Sequence, residues 1–355
     1  MQLPYRYLPP RITFWPSTRL RRRLRAAAVS LMISLGLGLG VTACAVFGGQ
    51  SGRLMPNLAC PTLGGTEFWS DVAWDAGWKV QRHAWTGHAR LLDPKGVRRA
   101  WGAEGACRAA LAARRAVGQG AAEPAASGSA SATSPAGAPL VVLLHGLGRS
   151  HRSFAALEER LHAEGYEVLA FEYASTRGTI SEHAAALAGL LEGLAAPREV
   201  SFVTHSLGGI VLRELTRDAA APWRARHTLG RAVTLAAPHG GAEIAARLSR
   251  CAPVRWVLGP AFVALGDGAA AALPEPDLEF GAVVAVRGDG RGWNPWVAGD
   301  DDGLVAATEA TLPGAREVLF VEALHTFVMN EPRVLDAVVE FLRVGAFGSA
   351  LASDT

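Results

Sequence analysis

Val200-Ser201-Phe202-Val203-Thr204-His205-Ser206-Leu207-Gly208-Gly209-Ile210 is the stretch on which the reading of this chain turns. Val200–Thr204 mixes β-branched and aromatic side chains, as a buried strand does. Leu207–Thr216 repeats its apolar residues at helical spacing. A serine on the sharp turn between such a strand and helix projects its hydroxyl from the carboxyl edge of a sheet. Small residues beside it let strand and helix approach without clash. The same turn sets the amide of Leu207 at the helix N-terminus, where it can donate to a developing oxyanion. The plainer alternative is an N-cap serine followed by helix-packing glycines. An isolated Ser-Leu-Gly would favour that alternative; the strand before and the helix after favour a nucleophile.

Strand-like and helix-like segments alternate on both sides of this turn. Strands are expected at Leu140–Leu144, Tyr166–Tyr173, Ala232–Ala236, Ala282–Val286 and Glu317–Val321, and helices at Phe154–Glu164, Ile180–Leu194 and Pro332–Val344. Alternation at this spacing builds βαβ units, and so an α/β fold: a mostly parallel sheet with helices on both faces. The chain of 355 residues, half of them hydrophobic, is long enough to bury such a core.

From Pro139 to Gly345, with its motifs in order, the chain resembles the α/β-hydrolase superfamily, and more narrowly the bacterial lipases and esterases. That resemblance implies a serine hydrolase acting on carboxylic esters, lipid esters included, through an acyl-enzyme. Thioester cleavage and acyl transfer are compatible with the same residues. A non-catalytic envelope protein built on the same fold is the alternative of another class. Thr204 departs from the glycine usual at the start of the elbow, which predicts a slightly wider gap between strand and helix. In lipases the residue after His-Gly supplies the second oxyanion donor, and in His145-Gly146-Leu147-Gly148 this residue is Leu147. His145 is expected to hold that loop through its ring nitrogens. Tyr173-Ala174-Ser175-Thr176-Arg177 also looks like a loop of related hydrolases and is assigned no chemistry.

The superfamily order of nucleophile, acid and histidine points to His325, in the loop between the last strand and the terminal helix. His205 adjoins the nucleophile in sequence, so its side chain is expected to point away from it. Four aspartates compete for the acid: Asp289, Asp300, Asp301 and Asp302. Asp302-Gly303-Leu304-Val305 resembles the Asp-Gly-x-Val segment of bacterial lipases, in which the aspartate is the triad acid. Asp302 is therefore preferred, and Asp300 and Asp301 are expected to stay solvated. No cofactor is implied. No metal is implied either, because the His-Glu-x-x-His and Cys-x-x-Cys patterns are missing. The run Asp300–Asp302 alone is not a defined calcium set.

The amino-terminal part reads differently. The first 25 residues carry seven arginines and no acid; without them, 28 basic residues face 32 acidic ones. A body of that sign offers no basic face for phosphates, so nucleic acid is not an expected partner. Arg21–Arg25, the apolar run Ala26–Gly40 and Val41-Thr42-Ala43-Cys44 have the layout of a secretory leader. The tetrad resembles a bacterial lipobox with valine for leucine, which would make residues 1–43 a leader and Cys44 a lipidated first residue. A single membrane-spanning anchor and an ordinary cleaved signal are the alternatives. All three export the rest of the chain, and the first two hold it in the bacterial envelope, tethered to the membrane. Residues 44–117 form a tryptophan-rich extension, with a strand or hairpin at Trp78–Leu92 and a helix at Cys107–Val117. An exported Cys60 and Cys107 could bridge, or all three remaining cysteines could be small buried hydrophobes. Residues 118–138 read as an Ala/Gly/Ser/Pro linker, 139–345 as the hydrolase domain and 346–355 as a tail. Residues 239–280 form an apolar insertion, either a mobile cap suited to an acyl chain or fixed helices completing the core.

Overall fold

The computed structural model describes residues 60–61, 66–120 and 138–348; Cys44, the leader and residues 121–137 lie outside them. Strands β1 (Cys60–Pro61), β2 (Trp69–Asp75), β3 (Trp78–His83), β4 (Ala89–Leu92) and β5 (Val97–Gly102) form an antiparallel sheet in the order β1-β5-β4-β3-β2. The β2–β3 turn uses Ala76 and Gly77, both at positive φ (45° and 81°), the backbone that a two-residue hairpin requires. Helix α1 (Glu104–Gly120) covers this sheet and runs three residues into the segment read as linker. Val72, Val80, Ala89 and Leu91 pack there against Cys107 and Leu111. Cys107 is a free, buried thiol, so it acts as a small hydrophobe and the bridge to Cys60 is not made.

The main sheet contains β6 (Leu140–Leu144), β7 (Glu167–Phe171), β8 (Glu199–His205), β9 (Thr228–Leu235), β10 (Phe280–Val286) and β11 (Glu317–Glu322). All six are parallel, in the order β11-β10-β9-β8-β6-β7. Helices α2 (Ala155–Ala163), α3 (Ile180–Glu192), α4 (Leu207–Thr216), α5 (Pro222–Arg226), α6 (Glu243–Leu248), α7 (Ala252–Gly266), α8 (Ala307–Ala310) and α9 (Pro332–Val344) complete it. Strand β6 shows how two faces are covered. Leu140, Val142 and Leu144 join one apolar cluster with α3, α4 and α7, while Val141 and Leu143 join another with α2 and α9. Every residue of β6 is buried, as expected of a strand covered on both sides.

The order of β7, β6 and β8 means the chain steps outward from β6 to β7 and then returns to β6's other side. Such a switch point opens a crevice at the carboxyl ends of the strands. Register aligns Leu144 with Thr204 and Val286 with Glu322. The turn after β6 therefore lies beside the one after β8, and the loops after β10 and β11 are neighbours.

The extension is fastened to this sheet by polar contacts and one tryptophan. Trp74 of β2 is buried in the cluster of α3 and α4. Asp71 donates its N–H to the Glu172 carbonyl (2.8 Å), and its carboxylate accepts the Glu172 N–H (2.9 Å). Lys79 neutralises the fully buried Asp71 at 3.2 Å.

In the insertion, α7 kinks at Gly259 (φ 80°), where Pro260 cannot donate to the helix ladder. A Cβ on Gly259 would lie 1.9 Å from the Thr176 carbonyl, so the kink is where α7 presses on the loop after β7. Ala261, Phe262 and Leu265 beyond the kink complete the core, whereas Trp256 before it is 74% exposed. Arg213 of α4, itself buried, ties down both ends of the insertion. It donates to the carbonyls of His239 (2.7 Å), Pro274 (2.9 Å) and Leu273. Among the described residues no helix is long and apolar enough to cross a membrane.

Candidate active site

Ser206 adopts φ 54°, a left-handed backbone that a side chain accepts only under constraint. Three close approaches impose it. A Cβ on Gly208 would meet the Leu144 carbonyl at 2.3 Å, and one on Gly209 would meet the Ala237 Cβ at 2.5 Å. One on Gly146 would lie 3.1 Å from the Ser206 Cβ, so the turn after β6 abuts the elbow. Thr204 was expected to widen the gap between strand and helix; the structure accommodates it otherwise. Its Oγ1 lies 3.3 Å from where a Gly209 side chain would begin, so the missing side chain of Gly209 provides the room.

Three of the candidate residues meet here. The Ser206 hydroxyl lies 3.0 Å from Nε2 of His325, and Nδ1 of His325 lies 2.7 Å from Oδ2 of Asp302. Both ring nitrogens are thus engaged, and with Nδ1–H donating to the carboxylate, Nε2 is left as an acceptor. Asp302 is oriented by the chain around it. Its Oδ1 accepts the N–H groups of Leu304 (2.9 Å) and Val305 (2.8 Å), and its carbonyl accepts the His325 N–H at 2.9 Å.

The other aspartates fold the loop instead. Asp300 accepts the N–H groups of Arg287, Gly288 and Gly290, and Asp289 accepts those of Arg291 and Gly292. Asp301, expected in solvent, is fully buried and accepts from Asn294 and Gly303; that burial pushes its carboxyl up.

Of the two expected oxyanion donors, Leu207 follows Ser206 directly and Leu147 lies in the turn whose Gly146 abuts the elbow. Leu207 is the first residue of α4, so its N–H has no intrahelical acceptor. The turn holding Leu147 is shaped by its neighbours. Gly148 donates its N–H to Ser175 Oγ (2.9 Å), and Arg149 donates its own to the Gly146 carbonyl (3.2 Å). Neither of those bonds uses the N–H of Leu147. His145 holds this loop as expected, with Nδ1 on the Gly146 carbonyl at 2.9 Å and its ring stacked on Tyr173 at 4.3 Å.

His205 takes a place that the sequence reading did not foresee. Its ring does not leave the site: it packs 4.8 Å from the His325 ring, and its Nε2–H donates to the His325 carbonyl at 3.0 Å. Alternation along β8 sends the side chain off the nucleophile's own face, yet the neighbouring loop folds over to meet it. Arg149 adds a second tie, donating to the Thr326 carbonyl at 3.0 Å. Neither tie was legible in sequence, because both end on backbone carbonyls from a loop more than a hundred residues away.

Five buried histidines, His227 among them, titrate below the usual imidazole range because burial disfavours their charged form. Burial lowers His183 to about 4 and His239 to about 3, and it also lowers His145 and His205. Their folded pKa values lie below the unfolded value of about 6.5, so the unfolded chain binds more protons in between and stability rises with pH there. Asp301 and Glu309, pushed up by burial, act in the opposite sense from about pH 4 upward. The melting temperature is therefore expected to fall as pH drops from 7 towards 5, where the histidines dominate. A melting temperature that stays level or rises over that interval would contradict this balance.

Sheet order, elbow and the chain order of serine, aspartate and histidine are together those of the α/β-hydrolase fold. A family described as a domain of unknown function (DUF7379) matches residues 110–254, which hold Leu147 and Ser206 but not Asp302 or His325. No curated protein matches the chain. Among solved structures, a Bacillus licheniformis lipase in its mature form is 20% identical. The match covers 58% of this chain and 90% of that one, with a TM-score of 0.42. A metagenomic carboxyl esterase is 17% identical over 62% and 79% of the two chains, with a TM-score of 0.41. A thermophilic esterase from Thermogutta terrifontis is 18% identical over 58% and 90%, with a TM-score of 0.39.

Proposed function

We propose that this protein is a serine hydrolase of carboxylic esters, with Ser206 as nucleophile, His325 as general base and acid, and Asp302 as the residue that orients His325. The observation that carries the reading is the continuous chain of contacts from a serine at φ 54° through His325 to a buried carboxylate, at 3.0 and 2.7 Å. A serine hydroxyl is a weak nucleophile until a base accepts its proton, and Nε2 of His325 is at the distance for that transfer.

In this mechanism the Ser206 oxygen attacks the ester carbonyl carbon while its proton passes to Nε2. Asp302 stabilises the resulting imidazolium without taking its proton. The N–H groups of Leu147 and Leu207 hold the oxyanion, each contributing about 3 kcal/mol to the transition state. The C–O bond to the alcohol then breaks, and His325 returns the proton to the departing oxygen. Water attacks the acyl-Ser206 ester with His325 as base, the carboxylic acid leaves, and Ser206 regains its proton. A fluorophosphonate, which phosphonylates activated serines, should label the folded protein once, with the label on Ser206 in peptide mass analysis. Folded protein that takes no label, or takes it elsewhere, would sink the reading.

A further inference from the structure

The carboxyl edge of the main sheet holds a cleft of about 420 Å³, lined by Glu67, Gly148, Arg149, Ser150, Arg152, Ser153 and Asn330. Its position ties it to the site already described. Gly148, Arg149 and Ser150 continue the turn that carries Leu147, and Asn330 follows His325 by five residues. Gly146 touches the elbow, and the two residues from Gly146 to Gly148 span at most about 7 Å. The cleft is therefore within reach of a short group attached to an ester held at Ser206. A different cleft, lined by Glu199, Arg231, Asp277 and Glu279, lies at the amino ends of β8, β9 and β10, on the opposite edge.

The charge of the cleft is unbalanced. Arg160, Arg198, Arg224 and Arg231 each face a carboxylate within 4 Å. Among the described residues Arg149 and Arg152 have none, although they line the same cleft; Arg149 spends one N–H on the Thr326 carbonyl. Ser150, Ser153 and Asn330 add neutral donors. The acid on the lining is Glu67, whose carboxyl is pushed up by burial against the pull of Arg177. Two guanidinium groups on one lining, neither facing a carboxylate, draw an anion into the cleft. Guanidinium forks match a pair of oxygens on a carboxylate or a phosphate.

We infer that this cleft binds an anionic group of the ester substrate, a carboxylate or a phosphate, beside the oxyanion donors. The inference rests on the ester-hydrolase reading. Binding there holds the reacting carbonyl in place through an interaction remote from it. The preferred substrates are then esters bearing a negative charge a few bonds from the scissile carbonyl.

The test compares two matched pairs of esters. p-Nitrophenyl hemisuccinate against p-nitrophenyl butyrate places the charge on the acyl side; 4-acetoxybenzoate against its methyl ester places it on the leaving group. Arg152→Gln is the variant of choice because Arg149 also fastens the His325 loop. In at least one pair the anionic-to-neutral ratio of kcat/KM should fall about tenfold, the loss of one charged hydrogen bond. Most of the fall should lie in KM, and Arg152→Lys should restore part of it. Arg217→Gln removes the same charge from an exposed position just past α4 and should leave the ratio as in wild type. An unmoved ratio in both pairs, with the neutral esters still cleaved, overturns the anion cleft and leaves the hydrolase reading standing. Failure of the wild type to cleave any of the four esters or to take the fluorophosphonate removes both.

Discussion

Ser206→Ala is expected to lower kcat for a p-nitrophenyl ester by about a million-fold, the loss seen when the nucleophile of a comparable serine hydrolase is removed. The thermal transition should stay close to that of wild type. Serine and alanine share the Cβ that the elbow must accommodate at φ 54°, so the substitution leaves the backbone geometry as it is. It removes one hydroxyl and its bond to His325, worth about 1 kcal/mol of stability. Turnover and stability thus separate. A folded Ser206→Ala protein that kept a tenth of wild-type kcat would rule out Ser206 as the nucleophile. A variant that lost activity only by unfolding would show the elbow to be a structural device.

The sheet and the elbow were legible because each rests on local patterns. Apolar runs such as Leu140–Leu144 read as buried strands, and the bounds Leu207–Thr216 and Pro332–Val344 agree with the helices observed. The amino-terminal layer was underestimated because its strands are four to seven residues long apart from the two-residue β1, and only the pairing between them makes a sheet. The short helices α5, α6 and α8 span less than two turns, too few for an apolar period to show, so tertiary packing defines them. Within the candidate site, the three side chains proposed to carry the chemistry stand in motifs and the residues that position them do not. His205 and Arg149 act on the backbone carbonyls of His325 and Thr326, targets that no residue pattern records. The burial of Asp301 was hidden for a related reason. Successive residues of a run share a sequence neighbourhood but are turned by the loop into different surroundings, one toward Asn294 and Gly303, the next toward His325.

Asp302→Asn is the sharpest test of that division among the aspartates. The Asp302 Oδ1 is fixed by two backbone N–H groups, those of Leu304 and Val305, which can be satisfied only by an acceptor. An asparagine in the same place must keep its carbonyl oxygen on those donors. Its NH₂ then occupies the position of Oδ2, 2.7 Å from Nδ1 of His325. Two N–H groups cannot face each other, so the imidazole moves its proton to Nε2 and Nδ1 becomes the acceptor. The nitrogen facing Ser206 then carries a proton and cannot take the one from the hydroxyl. The fold should survive, because the amide matches the carboxylate in shape, whereas kcat should drop by roughly 10⁴. Asp300 and Asp301 accept only loop N–H groups, Asp289 accepts loop N–H groups and pairs with Arg287, and none of the three faces His325, so folded protein of each Asn variant should keep kcat near wild type. Asp301→Asn should show its effect in stability, since that carboxyl is the buried one of the three. A large loss of kcat at Asp289 or Asp301 with none at Asp302 would place the acid elsewhere in the loop and undo the contact chain on which the mechanism is built.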